Sequence, residues 1–118
     1  MDPSYRIQVE QVEPGFLASP QLTPQDMAAL AASGVRSVIN NRPDGEGGPG
    51  QPSSAQLEAA ARAAGIEYRY LPVPSSGHSD EDARRMADLV SQLPPPVLAF
   101  CRSGRRSVAL YRKGRSLP

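Results

Sequence analysis

The sequence predicts a three-layer α/β fold in which helices flank a mostly parallel central sheet. Two observations predict it. Strand patterns alternate with helix patterns along most of the 118 residues, and residues 97–100 form an uninterrupted apolar run, typical of a central strand covered on both faces. Because strands joined through helices pair in parallel by right-handed crossovers, the helices should cover both faces of the sheet.

The first part of the chain predicts two strands and a helix. Apolar and polar residues alternate over residues 5–10, the pattern of a half-buried strand, and residues 16–18 form a second short strand. Thr23 offers a capping hydroxyl just before a proline, which is favoured at the first helical position, and Gly34 suits a left-handed helix end. We therefore expect a helix over residues 24–33.

The middle of the chain continues this alternation. A strand over residues 35–39 leads into residues 41–52, which are so rich in glycine and proline that they predict a loop, and the length of this loop favours a functional role. Ser53 and Ser79 are placed to cap two helices. A further strand is expected between those helices, over residues 66–73.

Composition limits the possible functions. The length fits a single domain over residues 1–118, and 13 basic against 12 acidic residues provide no overall field for nucleic acid or a membrane. No apolar run could span a bilayer, and the N-terminus lacks the layout of a secretory signal. One cysteine cannot form an internal disulfide, and with one histidine it does not complete a zinc site, so we expect a cytoplasmic protein without metal or cofactor.

The chemistry is concentrated after the last predicted strand. Cys101 ends that strand, a tight loop with Gly104 follows, and a helix begins beyond it, so several backbone amides should converge as an anion-binding nest. A helix N-terminus beside arginines favours the thiolate, which is the nucleophilic form of cysteine. Every acidic residue lies at or before Asp88, whereas six basic residues follow Cys101, which favours an anionic substrate.

Each residue of this loop has a candidate role. Cys101 is the candidate nucleophile, and Arg106 is the candidate anion-binding residue because its planar guanidinium can bind two oxygens at once. The remaining members of the anion-binding loop are Arg102, Ser103, Gly104, Arg105 and Ser107.

Loops after the other strands should reach the same rim, because ligands bind beyond the carboxyl ends of parallel strands. Asp44 is the preferred candidate for the general acid that protonates a leaving alcohol. Asp80 is a second candidate at the rim, although acids in a first helical turn are already explained by the helix dipole. Arg42 either binds anions at the rim or pairs with Glu46.

Three blocks of the chain, residues 38–46, 51–54 and 96–107, resemble the phosphatase-like domain of beta-lactamase-hydrolase-like proteins, bacterial relatives of dual-specificity and tyrosine phosphatases. The resemblance implies a dual-specificity-phosphatase-like fold, with Cys101 as nucleophile, Arg106 as anion-binding residue and a phosphate ester as the small anionic substrate. Some relatives are fused to a metallo-hydrolase domain that handles persulfides. A separate metallo-hydrolase, a persulfide dioxygenase, is therefore an implied partner.

The loop departs from the phosphatase pattern in its length. That pattern has arginine six positions after the cysteine and usually histidine before it, whereas Arg106 is at the fifth position, Ser107 at the sixth, and Phe100 precedes the cysteine. The segment resembles equally the active loop of single-domain rhodaneses, which carry sulfane sulfur as a cysteine persulfide. A shorter ring suits a terminal sulfur, so a sulfane-sulfur donor is the alternative substrate.

Three functions result, in order of preference. The first is a cysteine-dependent phosphatase-like hydrolase acting through Cys101 and Arg106. The second is a sulfurtransferase of sulfide and persulfide metabolism, which needs no general acid for a leaving oxygen. The third is a non-catalytic module that binds anions or senses redox state, in which Cys101 is oxidised and a partner reads the change.

Overall fold

The computed structural model describes residues 7–118, which form one five-stranded sheet and four helices. The strands are β1 (Glu10–Glu13), β2 (Phe16–Ser19), β3 (Ser37–Asn40), β4 (Glu67–Tyr70) and β5 (Val97–Phe100). The helices are α1 (Asp26–Ala32), α2 (Ser54–Ala63), α3 (Asp80–Gln92) and α4 (Arg105–Ser116). Within residues 7–118, no helix is long and apolar enough to cross a membrane.

The sheet is mostly parallel, as predicted, with the strand order β1-β2-β5-β3-β4. β1 and β2 pair antiparallel through a tight turn, and the remaining neighbours pair in parallel. β5 lies at the centre and all four of its residues are buried. Its last residue, Phe100, lies opposite Ser19 of β2 and Asn40 of β3, so the carboxyl ends of three strands meet at one rim.

Two apolar clusters cover the two faces of the sheet. Val38 and Leu98 pack with residues of α1 and α2 on one face, whereas Ile39 and Ala99 pack with residues of α3 and α4 on the other. Successive side chains of a strand point to opposite faces, so the central strands β2, β5 and β3 contribute to both clusters. The predicted three-layer α/β arrangement is thereby confirmed.

The capping residues predicted for α2 and α3 are confirmed, whereas the one predicted for α1 is wrong. Ser53 and Ser79 each complete a capping box at the start of α2 and α3. The N-cap of α1 is instead Gln25, and it has no side-chain hydrogen bond. The Asp26 carboxylate accepts the Thr23 amide at 2.7 Å, so the side chain that closes this turn is the acid and not the predicted threonine hydroxyl.

Two strand boundaries also differ from prediction. The strand expected over residues 5–10 begins outside the described residues, and the paired strand is β1, whose position is set by its turn into β2. β4 ends at Tyr70 and is shorter than the expected 66–73. Beyond it the amides of Leu71 and Val73 still donate to the carbonyls of Asn40 and Asn41, so this segment stays hydrogen-bonded to the end of β3 without forming a ladder.

Candidate active site

Cys101 lies directly after the central strand, at the bottom of a short loop that leads into α4. Its side chain is buried, with 1% of the residue exposed, and its Sγ accepts the Gly104 amide at 3.0 Å. Gly104 is the N-cap of α4 and has φ +96°, a left-handed conformation that favours glycine. A Cβ at this position would also lie 3.3 Å from the carbonyl carbon and oxygen of Ser19. The tight turn around the thiol therefore depends on Gly104.

The loop offers unpaired backbone donors around the cysteine. Among residues 7–118, the amides of Arg102, Ser103, Arg106 and Ser107 have no hydrogen-bond acceptor, although the first intrahelical bond of α4, from Val108 to Gly104, is already formed. Unpaired amides at a helix N-terminus attract anions, because the positive end of the helix dipole adds to the hydrogen bonds. The arrangement is able to hold an anion above Cys101.

Arg106 is held by one end of its guanidinium. Its Nη1 and Nη2 donate to the two carboxylate oxygens of Glu46, each at 3.0 Å, and Nη1 also donates to the Val73 carbonyl at 2.9 Å. A guanidinium has five N–H donors. Within the described residues, Nε–H and one Nη2–H are thus left without an acceptor, and they lie on one edge of the guanidinium, where they can bind two oxygens of an anion.

Glu46 links this arginine to a second one. Its Oε1 also accepts the Arg42 Nε at 2.9 Å, and Arg42 in turn donates to the Gln21 side chain at 3.0 Å. The hydrogen bond from Arg106, strengthened by that from Arg42, lowers the pKa of the Glu46 carboxyl below its ordinary value. The cluster of Arg42, Glu46 and Arg106 therefore connects the loops that follow β3 and β5.

Ser107 anchors the start of α4 to the end of β3. Its hydroxyl donates to the Asn41 Oδ1 at 2.7 Å, and Asn41 donates to the Leu71 carbonyl at 3.0 Å. The Asn41 amide continues the β3–β5 pairing by donating to Phe100 at 2.9 Å. Since the Ser107 proton is directed to Asn41, it is not directed to the Cys101 sulfur in this structure.

Asp44 lies in the same loop as Glu46 but faces α2. Its Oδ1 accepts the amide of Ser54, the first residue of α2, at 2.8 Å, and its own amide donates to the Tyr70 hydroxyl at 2.9 Å. A carboxylate at a helix N-terminus satisfies an otherwise unpaired amide. Oδ2 has no hydrogen-bond partner among residues 7–118, so this carboxylate oxygen is free to form a further hydrogen bond.

The other candidate rim residues are placed differently. Asp80 pairs with Lys113 at 3.0 Å, and that hydrogen bond lowers the pKa of Asp80. Lys113 lies eight residues beyond Arg105 along α4, which corresponds to about 12 Å of helix, so the pairing holds Asp80 away from the cysteine loop. Arg42 pairs with Glu46, one of its two predicted alternatives. Arg102, Ser103 and Arg105 are exposed around the loop.

Glu46 has two arginine partners, and the sequence pointed to only one of them. Its pairing with Arg42 is one of the two alternatives predicted for that arginine, and the structure contains this pair. Its second partner, Arg106, is 60 residues away. The sequence contained only a weak signal for this second pairing. Glu46 is an acid in a glycine-rich loop, and this loop was expected at the same rim as the basic cysteine loop.

The family model for the phosphatase-like domain of the beta-lactamase hydrolase-like protein matches residues 8–117. The chain belongs to this family. A beta-lactamase hydrolase-like protein from Agrobacterium fabrum is 40% identical over 92 residues, which are 78% of this chain and 21% of that protein. One from Xylella fastidiosa is 39% identical over 82 residues, 70% of this chain and 19% of that protein. The chain thus spans about a fifth of the length of these curated relatives.

Solved phosphatase structures share the fold of this family member. A putative phosphatase from Neisseria meningitidis has a TM-score of 0.81 and 32% identity, covering 93% of this chain and 79% of that one. The predicted resemblance and the dual-specificity-phosphatase-like α/β fold are both confirmed. The chain is a phosphatase-like domain.

Proposed function

We propose that this domain is a cysteine-dependent phosphatase in which the Cys101 thiolate attacks phosphorus and Arg106 binds two phosphoryl oxygens. The observation that carries the proposal is the division of donors on Arg106. Glu46 holds one end of the guanidinium, while an edge with two N–H groups has no acceptor among the described residues. Membership of a phosphatase-like family supports the same assignment.

The reaction consists of two displacements at phosphorus. The Cys101 sulfur forms a bond to phosphorus as the bond to the ester oxygen breaks, and that oxygen takes a proton as it leaves. Water then attacks the phosphorus and gives a proton to the group that protonated the leaving oxygen, the sulfur–phosphorus bond breaks, and phosphate departs as the thiolate is restored. The loop amides and Arg106 stabilise the charge on the non-bridging oxygens in both steps.

Asp44 remains the predicted general acid. The hydrogen bond from Ser54 fixes its Oδ1, which leaves Oδ2 to carry and donate a proton. Asp80 is bound to Lys113, and we assign it no part in the reaction. The anion-binding surface consists of the loop from Cys101 to Ser107, with Arg102, Ser103 and Arg105 exposed around it.

Sulfur transfer is the second candidate function, and the length of the loop favours it. With four residues between Cys101 and Arg106, the ring is one residue shorter than the phosphatase pattern. In this reaction the Cys101 thiolate attacks the outer sulfur of thiosulfate, a persulfide forms and sulfite leaves. Cyanide then accepts the sulfur as thiocyanate and the thiolate returns. A separate persulfide-handling metallo-hydrolase would be the partner in this case.

Intact-mass spectrometry of acid-quenched reactions tests the proposal. Reduced protein is incubated separately with p-nitrophenyl phosphate and with thiosulfate, and Cys101→Ser is treated in the same way. We expect a phosphoryl adduct and steady phosphate release with the unaltered protein, and neither with Cys101→Ser. A sulfur adduct that discharges onto cyanide, without any phosphoryl adduct or phosphate release, would replace the phosphatase assignment with sulfur transfer.

A further inference from the structure

A cleft lies beside the cysteine loop, between the edge strand β1 and the outer face of α4. Its volume is about 610 Å³, which is within the range of small-molecule sites. The loop contributes Ser103 and Gly104 at one end, and β1 contributes Glu10. A smaller cleft of about 230 Å³ shares these three residues, so both open next to the loop that surrounds Cys101. We name the larger one the β1–α4 cleft.

Two arginines of α4 line this cleft. Arg105 and Arg112 are seven residues apart, two helical turns, so they lie on the same face about 10 Å from each other. Both are exposed, and among residues 7–118 neither guanidinium has a hydrogen bond or an ion pair. By contrast, Lys113 and Arg115 on the same helix are each paired with an acid.

The remaining lining of the cleft leaves room between these arginines. Val108 and Ala109 separate them with small side chains that carry no polar atoms. Glu10 stands on the opposite wall and is not within ion-pair distance of either arginine. The arginine wall can bind oxyanions bidentately, while the Glu10 carboxylate can accept hydroxyl groups and disfavours an acidic peptide.

We propose that the β1–α4 cleft binds a second anionic group of the substrate, and that the substrate is a small hydroxylated molecule with two phosphoryl groups. One group reacts above Cys101, and Arg112 binds the other. Arg105 belongs to the cysteine loop and also lines the cleft. This inference rests on the proposed phosphatase function and adds the class of substrate to it.

The test compares two ligands that differ by one phosphoryl group. Fructose 1,6-bisphosphate and fructose 6-phosphate are titrated by calorimetry into Cys101→Ser, in which turnover is prevented, and into the same protein with Arg112→Ala. We expect the bisphosphate to bind at least about 10-fold more tightly, the gain typical of one charge-assisted pair. Arg112→Ala should weaken binding of the bisphosphate and thereby remove most of that difference.

A matched control separates this effect from a change in net charge. Arg84→Ala removes an exposed arginine from α3, outside the cleft, and should preserve the preference for the bisphosphate. Equal affinities for the two sugar phosphates, an equal loss in Arg84→Ala, or no binding of either ligand would each overturn the proposed subsite. An Arg112-dependent preference in a protein that forms no phosphoryl adduct on Cys101 would support the subsite while the phosphatase function fails.

Discussion

At the scale of single residues, Arg106 uses only some of its donors within the protein. The Glu46 carboxylate and the Val73 carbonyl hold one end of the guanidinium, and the other edge has two donors without an acceptor among residues 7–118, which we propose bind the substrate. A lysine could not divide its donors in this way, because an ammonium group lacks the planar fork. In the proposed mechanism, Glu46 is therefore a positioning residue, which would act on the reaction through the orientation of Arg106.

Replacing Glu46 by glutamine should weaken that orientation. The glutamine side chain keeps one oxygen acceptor, but its NH₂ group would face an N–H donor of an arginine. At least one charge-assisted hydrogen bond is therefore lost. We expect kcat/KM for p-nitrophenyl phosphate to fall roughly 10- to 100-fold, and inhibition by orthophosphate to weaken in parallel. Glu58→Gln, which breaks an exposed ion pair with Arg62, is the control and should leave both quantities unchanged. An equal effect in both variants would contradict a positioning role.

Asp44 can be tested separately from its structural contact. Asp44→Asn keeps an oxygen to accept the Ser54 amide, so the start of α2 should be preserved, but it removes the acidic proton. We expect the variant to lose roughly 10²-fold or more in kcat with phenyl phosphate, a poor leaving group, and much less with p-nitrophenyl phosphate. Steady-state kinetics with both esters provide the measurement. Equal losses on the two substrates would exclude Asp44 as the general acid.

At the scale of elements, α3 and α4 pack so closely that one position cannot carry a side chain. A Cβ on Gly114 would lie 2.2 Å from the Ala83 carbonyl oxygen and 2.9 Å from the Ala87 Cβ. Gly114→Ala should therefore lower the free energy of unfolding by about 1–3 kcal/mol, despite the better helix propensity of alanine. Thermal unfolding measures the loss, and Gly50→Ala, which meets nothing within 4 Å, is the matched control. Equal melting temperatures for the two variants would contradict this packing.

Elements were predictable where their signals are local. The capping boxes at Ser53 and Ser79 each need two residues in one turn, and both form. The start of α1 was not predictable in the same way, because Thr23 and Asp26 both offer a capping oxygen and only the folded turn decides between them. The position of β1 differs from the strand predicted over residues 5–10 for a similar reason. Pairing with β2 sets the register of β1, and the alternation of apolar and polar residues does not.

At the scale of the whole molecule, strand connectivity brings the site together and side-chain pairing completes it. The parallel orientation of β3, β4 and β5 follows from the alternation of strands and helices, so the meeting of the loops after these strands at one rim was predictable. Which rim side chains bind one another was not. The pairing of Glu46 with Arg106 depends on the path of residues 41–52, a glycine- and proline-rich loop whose conformation is set by tertiary contacts.

The ionisable groups that join distant elements also make the stability of the folded protein depend on pH. Three carboxylates have a lowered pKa, each chiefly because of a hydrogen bond: Glu46 from Arg106, Glu13 from Tyr111 and Asp80 from Lys113. Burial raises the pKa of the Tyr68 phenol, because burial disfavours the charged form. A carboxyl whose pKa is lower in the folded protein stabilises it above the unfolded pKa. A phenol whose pKa is raised stabilises it below the unfolded pKa.

The melting temperature should accordingly be highest between the pH range in which the three carboxylates become protonated and the pH range in which Tyr68 ionises. Stability contributed by the carboxylates is lost as the pH falls below about 4.5 and through the lowered folded pKa values, and that contributed by Tyr68 is lost as the pH rises above about 10. Calorimetric melts from pH 3 to pH 11 measure both limbs. Glu46→Gln removes one titrating group and should make the acid limb shallower. Glu67→Gln, which removes a carboxylate that has no ion pair among residues 7–118, serves as the control. A melting temperature that rises as the pH falls below 4.5 would contradict the role of these carboxylates in joining the elements.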